Sequence, residues 1–245
     1  NIRFYSPSPI LCTDNAAMID RRRFPMNISI SSEIKEKVPC TKIAVLKYSV
    51  NTEETNENLW EFMDSDIIPA IEAELESKNV TELKNIASSR KAYKAFGKDP
   101  GRYRVSSEAL IRRIKQGKGL YKINTVVDTN NLISVESGFS AGSYDTDCIN
   151  GDIVLNLGHA GESYKGIGKD SVNIENLPVL CDNDGPFGSP TSDSEKAMIT
   201  LSSKNIITLI YVFTEDEDIT ALLDKAAGYI EKYAKAENIE KFIIQ

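Results

Sequence analysis

Residues 102–145 read RYRVSSEALIRRIKQGKGLYKINTVVDTNNLISVESGFSAGSYD, and the character of the chain changes twice within them. SSEALIRRI, 106–114, predicts a helix. Ser106 is the expected N-cap, Glu108 lies in the first turn, and Arg112 and Arg113 lie near the end, each where the helix dipole favours its charge. Gly117 and Gly119 close it. INTVVDTNNLISVES, 123–137, stays open between helix and strand: it is rich in β-branched residues, yet its apolar positions do not alternate strictly. GFSAGSYD, 138–145, is built of small residues and reads as a loop where a ligand can approach the backbone closely.

Working outward, NISIS from Met26 is strand-like, and Lys42–Val50 reads as a buried strand. Glu53–Glu76 is acidic and helical, with Leu59, Trp60, Phe62, Met63, Ile67, Ile71 and Leu75 returning at helical spacing, and Pro69 is expected to break or kink it. Trp60 belongs to that stripe and reads as core rather than as a ligand platform. A second helix is expected from an N-cap at Thr81 to Phe96, followed by a turn at GKDPG. Downstream, Asp152–Leu157, Pro178–Cys181, Ala197–Ser202 and Ile206–Phe213 are strand candidates, separated by turn chemistry such as Asn183-Asp184-Gly185. Ile219–Ala236 is an amphipathic helix. The loops are short and there is no internal repeat. The fold class is therefore α/β (mixed α+β), a single compact domain with a mixed sheet flanked by helices. Residues 1–25 hold three prolines and no glycine. They read as an N-terminal extension not native to the fold, with an ordered arm as the alternative, so 26–245 is taken as the domain.

A chain of 245 residues, 41% hydrophobic and 27% charged, can build a core without a disulfide or a metal. Cys12, Cys40, Cys148 and Cys181 are scattered and read as reduced thiols. No apolar run approaches the roughly 20 residues of a membrane span, and no signal-peptide core is evident. A cytoplasmic protein is the expectation, with no membrane partner. The net charge of −7 hides an asymmetry. From Arg90 to Lys122, eleven basic residues face only Asp99 and Glu108, so this window is +9 and the remainder −16. Such segregation fits an anionic partner, or a solvated helix face paired with acidic stretches elsewhere.

No phosphate-binding loop and no nucleophile elbow is present, and the lone histidine, His159, reads as structural. Neither a metal nor a cofactor is expected. What remains is a polar constellation. Arg102, Arg104, Ser106, Ser107 and Glu108 gather at a helix N-terminus suited to anions. Asn124, Asp128, Asn130 and Asn131 interrupt an apolar stretch, and Asp145 and Asp147 follow the small-residue segment. Such groups either brace turns or face a pocket.

These residues also carry a resemblance. SSEALIRRI followed by INTVVDTNNLISVESGFSAGSYDTDCINGDIVL is similar to the B3/B4 domain of the bacterial phenylalanyl-tRNA synthetase β subunit. It is closer still to stand-alone B3/4-domain proteins, in which RYR-x-SSEAL-x-RR, IN-x-VVD-x-x-N and GxYD are typical. The later DNDGP, 182–186, resembles the family's acidic turn. The resemblance covers roughly Lys98 to Ser202, and more loosely Met26 to the C-terminus, and implies a B3/B4-like α/β domain. It also implies an editing site that hydrolyses a wrongly attached amino acid from tRNA, acting in trans in free-standing members. It assigns Arg102, Arg104, Asn124, Asn131, Gly142 and Asp145 to substrate binding, and Glu108 and Asp128 to catalysis, binding the α-amino group or orienting water. Two departures stand out. Gly142 occupies the place of a synthetase histidine, and FGSPTSDS, 187–194, is a shortened counterpart of the synthetase's glycine-rich loop without its glutamate.

The functional expectation is an aminoacyl-tRNA deacylase acting in trans, not a complete aminoacyl-tRNA ligase. Its partner would be the tRNA acceptor end or an aminoacyl-type small molecule, with no DNA. A non-catalytic module of the same fold that binds tRNA or an amino acid is the alternative. A small-molecule hydrolase or amino-acid sensor is a third possibility.

Overall fold

The computed structural model describes residues 26–245. The expectation for residues 1–25 lies outside them. In chain order the elements are β1 (Ile28–Ile30), α1 (Ser32–Lys37), β2 (Lys42–Ser49), α2 (Glu57–Phe62), α3 (Ile68–Ser77), α4 (Lys84–Phe96), α5 (Ser106–Lys115), α6 (Thr125–Ser137), β3 (Ser140–Asp145), β4 (Ile153–Leu157), β5 (Ser163–Tyr164), β6 (Val172–Asn173), β7 (Pro178–Asp182), β8 (Gly185–Gly188), β9 (Asn205–Val212), α7 (Ile219–Ala234) and β10 (Glu237–Ile244).

A central antiparallel sheet has the order β10-β2-β9-β3. Its middle strands, IAVLKYS and IITLIYV, are apolar on both sides because both faces are covered. One face packs Ala44, Leu46, Ile206 and Ile210 against Val126 and Ile133 of α6 and Leu223 and Ile230 of α7. The other carries Ile43, Val45, Leu209 and Tyr211 into a larger core. That core is shared with the second sheet, β1-β4-β7-β8, which is mixed because β1 runs parallel to β4. The mixed α/β class with flanking helices is thus borne out.

Several local expectations are corrected. Pro69 neither breaks nor ends its helix. The turn before it widens into a π-helix over Met63–Ile67, where the Ile68 N–H reaches the Met63 carbonyl, and the axis continues into α3 with Pro69 in its first turn. Thr81 is not the cap of α4. It lies in a 3-10 turn, Val80–Glu82, closed by an Asn79/Glu82 capping box, and the N-cap of α4 is Leu83. Ser106 is likewise already helical. The N-cap of α5 is Val105, with no side-chain bond, and the Ser106 N–H donates to the Pro190 carbonyl at 2.6 Å. GFSAGSYD is not a loop: Ser140–Asp145 is β3, an edge strand bonded to β9 along its length. Ala197–Ser202 is not a strand but a bend, closed by the Thr200 N–H on Ser203 Oγ at 3.0 Å. The segment left open resolves as helix α6, capped by Asn124, whose Oδ1 accepts from the Val127 N–H at 2.9 Å.

Candidate functional site

Helix α5 opens beside the 187–194 loop, and this junction gathers the polar chemistry of the molecule. Glu108, one turn into α5, is fully buried. Arg90 of α4 donates to both its oxygens, at 3.1 and 2.9 Å, and Arg112 donates Nε to Oε1 at 2.9 Å. Arg104 approaches to 4.0 Å. Burying one carboxylate among three guanidinium groups satisfies it and leaves a net positive rim. Arg104 is about half exposed, at 48%, and Arg102 beside it is exposed.

The 187–194 loop, whose Pro190 carbonyl receives the Ser106 N–H, carries an acid that the motif reading did not single out. Asp193 Oδ1 accepts from Tyr144 Oη at 2.8 Å and from the Ser189 N–H at 3.1 Å. Tyr144 Oη also meets Tyr211 Oη at 3.1 Å. Tyr164 donates to Ser189 Oγ and to the Ser192 carbonyl, and Tyr93 pairs with Thr191 at 2.8 Å. Burial pushes the Asp193 carboxyl up to about 6, against the lowering effect of its two hydrogen bonds. The same burial drives Tyr144 and Tyr211 well above the ordinary phenol range, so both stay protonated donors. Oδ2 of Asp193 has no hydrogen bond among the described residues, and the residue is only half-buried. The one clue to Asp193 in the sequence was its position as the sole acid of FGSPTSDS.

Gly142 belongs to this cluster. A Cβ there would lie 2.8 Å from Tyr144 Cζ, and one on Gly188 would lie 2.7 Å from Tyr144 Cε1. The Tyr144 ring therefore fills the space between two glycines, edge-on to Phe187 at 5.2 Å. The place where the family resemblance put a histidine holds a tyrosine ring packed on bare backbone.

The other expected site residues lie elsewhere. The α5 N-terminus meets the C-terminal end of α6, where Ser107 Oγ donates to the Gly138 carbonyl at 3.0 Å. Asn124 and Asp128 are at the opposite end of that 13-residue helix, roughly 20 Å away at 1.5 Å per residue. There Asp128 is buried and accepts from Trp60 Nε1 at 3.1 Å and from the Ile123 N–H at 2.9 Å, while burial raises its carboxyl pKa. Trp60 is buried, as read, and is tied to Asp128. Asn131 is half-buried midway along α6. Asp145 caps the 3-10 turn Thr146–Cys148, accepting from the Asp147 N–H at 3.0 Å. Arg102, Arg104, Glu108 and Gly142 thus surround one junction, and Asn124, Asp128, Asn131 and Asp145 do not reach it. The neighbouring Asn130 bridges Ser143 and the Ala141 carbonyl.

His159 is exposed in a turn closed by its own N–H on Glu162 at 2.6 Å. Burial raises the Cys181 thiol to about 11, which keeps it out of the thiolate form. Among the described residues no group of three or more His, Cys, Asp or Glu side chains is arranged to hold a metal ion, and no helix is long and apolar enough to cross a membrane.

A family model described as the B3/4 domain matches residues 88–243. No curated protein sequence matches the chain. Among solved structures, an N-terminal fragment of the phenylalanyl-tRNA synthetase β subunit from Pyrococcus horikoshii is similar at a TM-score of 0.45 and 11% identity. The match covers 89% of this chain and 50% of that one, so the present chain spans about half the length of that fragment.

Proposed function

Because the chain belongs to the B3/4-domain family, with the match running from α4 through β10, we propose that it binds the acceptor end of tRNA and hydrolyses wrongly attached amino acids from it in trans. The observation that carries this reading is the half-buried Asp193, with one oxygen hydrogen-bonded and the other without a hydrogen bond among the described residues, in the loop whose Pro190 carbonyl receives the Ser106 N–H at the start of the arginine-flanked α5.

In this reading Arg102 and Arg104 hold the terminal phosphate or ribose, a task suited to a planar fork of donors. Glu108 positions the Arg104 guanidinium, and Asp128 braces the start of α6 through Trp60. Asp193, unprotonated above about 6, takes a proton from a water molecule as that water adds to the ester carbonyl. Collapse of the resulting oxyanion breaks the bond between the carbonyl carbon and the ribose oxygen. The proton passes to that oxygen, and the amino acid leaves. An aminoacyl ester is labile enough that orienting one water is a meaningful contribution.

The test is incubation of the pure protein with a panel of mischarged tRNAs. The expected result is release of at least one amino acid at a rate that falls below about pH 6 and is lost in Asp193→Asn. No deacylation above buffer for any pair would remove the hydrolase. The second reading, a non-catalytic binding module, is favoured by the Tyr144 ring, which fills the space over Gly142 and Gly188. Salt-sensitive tRNA binding without turnover is the outcome that selects it.

A further inference from the structure

The basic window keeps most of its charge unpaired. Among the described residues, the ion pairs of Arg90, Arg104 and Arg112 all go to the window's own Glu108. No other cation of the window lies within ion-pair distance of a carboxylate. Glu72 and Glu76 of α3 share a shallow dent of about 140 Å³ with Lys115 at the end of α5. Arg104, just before α5, and Arg112, in its last turn, reach Glu108 from either side, so cations stand at both ends of this roughly 15 Å helix.

The cations of the last turn, Arg112, Arg113 and Lys115, lead to the connector between α5 and α6. Here Gly117 and Gly119 adopt left-handed backbone, at φ 65° and 60°, and turn the chain so that Tyr121 comes to rest on Arg113. The guanidinium carbon is 4.0 Å from the ring centre, and the guanidinium is itself held by the Gly119 carbonyl at 3.1 Å. Tyr121 remains 60% exposed and the adjacent Ile123 53% exposed, two of the few large apolar side chains left in water. Lys122 turns the other way, 5.0 Å over the ring of Trp60. An exposed aromatic ring backed by a cation, beside a helix end that carries further cations, is an arrangement that receives a nucleobase by stacking while neighbouring cations take its phosphates.

We propose that Tyr121, braced by Arg113, is a base-stacking platform for single-stranded RNA lying along α5. This rests on the reading that the partner is a tRNA end. It adds a second contact point, a helix length away from Asp193, where an unpaired nucleotide preceding the terminal one is gripped. Stacking is tolerant of base identity, so this contact contributes affinity and position rather than sequence choice.

The experiment uses the full chain and a short single-stranded oligoribonucleotide carrying 2-aminopurine. Base fluorescence reports stacking, and the single tryptophan, Trp60, reports events near Lys122. The expected result is quenching of the base and an affinity that drops roughly tenfold in Tyr121→Ala, holds in Tyr121→Phe, and keeps its salt dependence in both. Because Tyr121 is exposed, Tyr121→Ala is expected to keep the wild-type melting temperature, which is measured alongside. Oligonucleotide binding that is unchanged in a folded Tyr121→Ala overturns the platform and leaves the proposed function standing. Deacylation of tRNA with no oligonucleotide binding does the same. A chain that neither binds the oligonucleotide nor acts on tRNA overturns both, and the exposed Tyr121–Ile123 surface is then a protein contact.

Discussion

Glu108 is fully buried and Asp193 half-buried, and the two carboxylates have different company. Glu108 is matched by three guanidinium groups, whereas Asp193 is offered only one phenol and one amide. Neutral donors compensate less of the cost of burying charge, and the Asp193 carboxyl rises from 3.8 to about 6. A carboxylate raised on folding contributes stability that is fully present below its unfolded value, near pH 4, and is lost as the pH rises through about 6. Asp193→Asn, which keeps an acceptor for Tyr144, should abolish that loss. Chemical denaturation across this range is expected to show wild type losing roughly 2 kcal/mol more than the variant. Glu108→Gln should behave differently. It removes the charge that three arginines share and is expected to cost roughly 1–3 kcal/mol at neutral pH, read as a lower denaturation midpoint at unchanged m-value. At this scale the sequence announced Glu108 and its arginines through their spacing in SSEALIRRI. It did not announce Asp193, because a single acid among small polar residues looks like any turn until Tyr144 and Tyr211 are seen to arrive from other elements.

The elements show where pattern reading succeeds and where burial defeats it. The strands β2 and β9 and the helix α7 were legible because their apolar runs have strand length or a clear stripe. Helix α6 was not. Thr125, Val126, Asp128, Thr129, Leu132, Ile133, Ser134 and Val135 are all buried, since α5, α7 and β3 surround it, and a helix covered on most sides has no period to read. β3 looked like a loop because its residues are small. They are small because the strand is crowded: Ser134 Oγ accepts from the Ala141 N–H, Ser143 is bonded to Asn130 and Thr208, and Tyr144 folds over Gly142. The caps offer a direct comparison. Asn124 accepts a backbone bond at the start of α6, so Asn124→Ala is expected to cost about 1 kcal/mol. Ser106 sits inside α5 with no capping bond from its side chain, so Ser106→Ala should be near neutral in the same denaturation experiment.

For the molecule as a whole, the opposed charges of the basic window and the remainder matter more than the net −7. In the proposed reading, an acidic body that repels a polyanion and a basic window at α4–α5 and the connector that follows would orient an approaching RNA before contact. Affinity for tRNA should therefore fall linearly with the logarithm of salt concentration. Arg102→Ala and Arg104→Ala should each lower the magnitude of that slope by about one, without selecting among tRNA sequences. Such a titration separates phosphate contacts from the stacking contact at Tyr121, which should leave the slope alone.

Strand β2 is paired on one side with β9 and on the other with β10, partners that begin at Asn205 and Glu237. During synthesis IAVLKYS emerges early and waits, with both backbone edges unsatisfied, for more than half of the chain to follow. Until then it is an apolar strand open to pairing with another nascent chain. Productive folding therefore depends on how fast the last two strands are delivered, and slowing translation between residues 50 and 205 is expected to lower soluble yield without altering the melting temperature of what does fold.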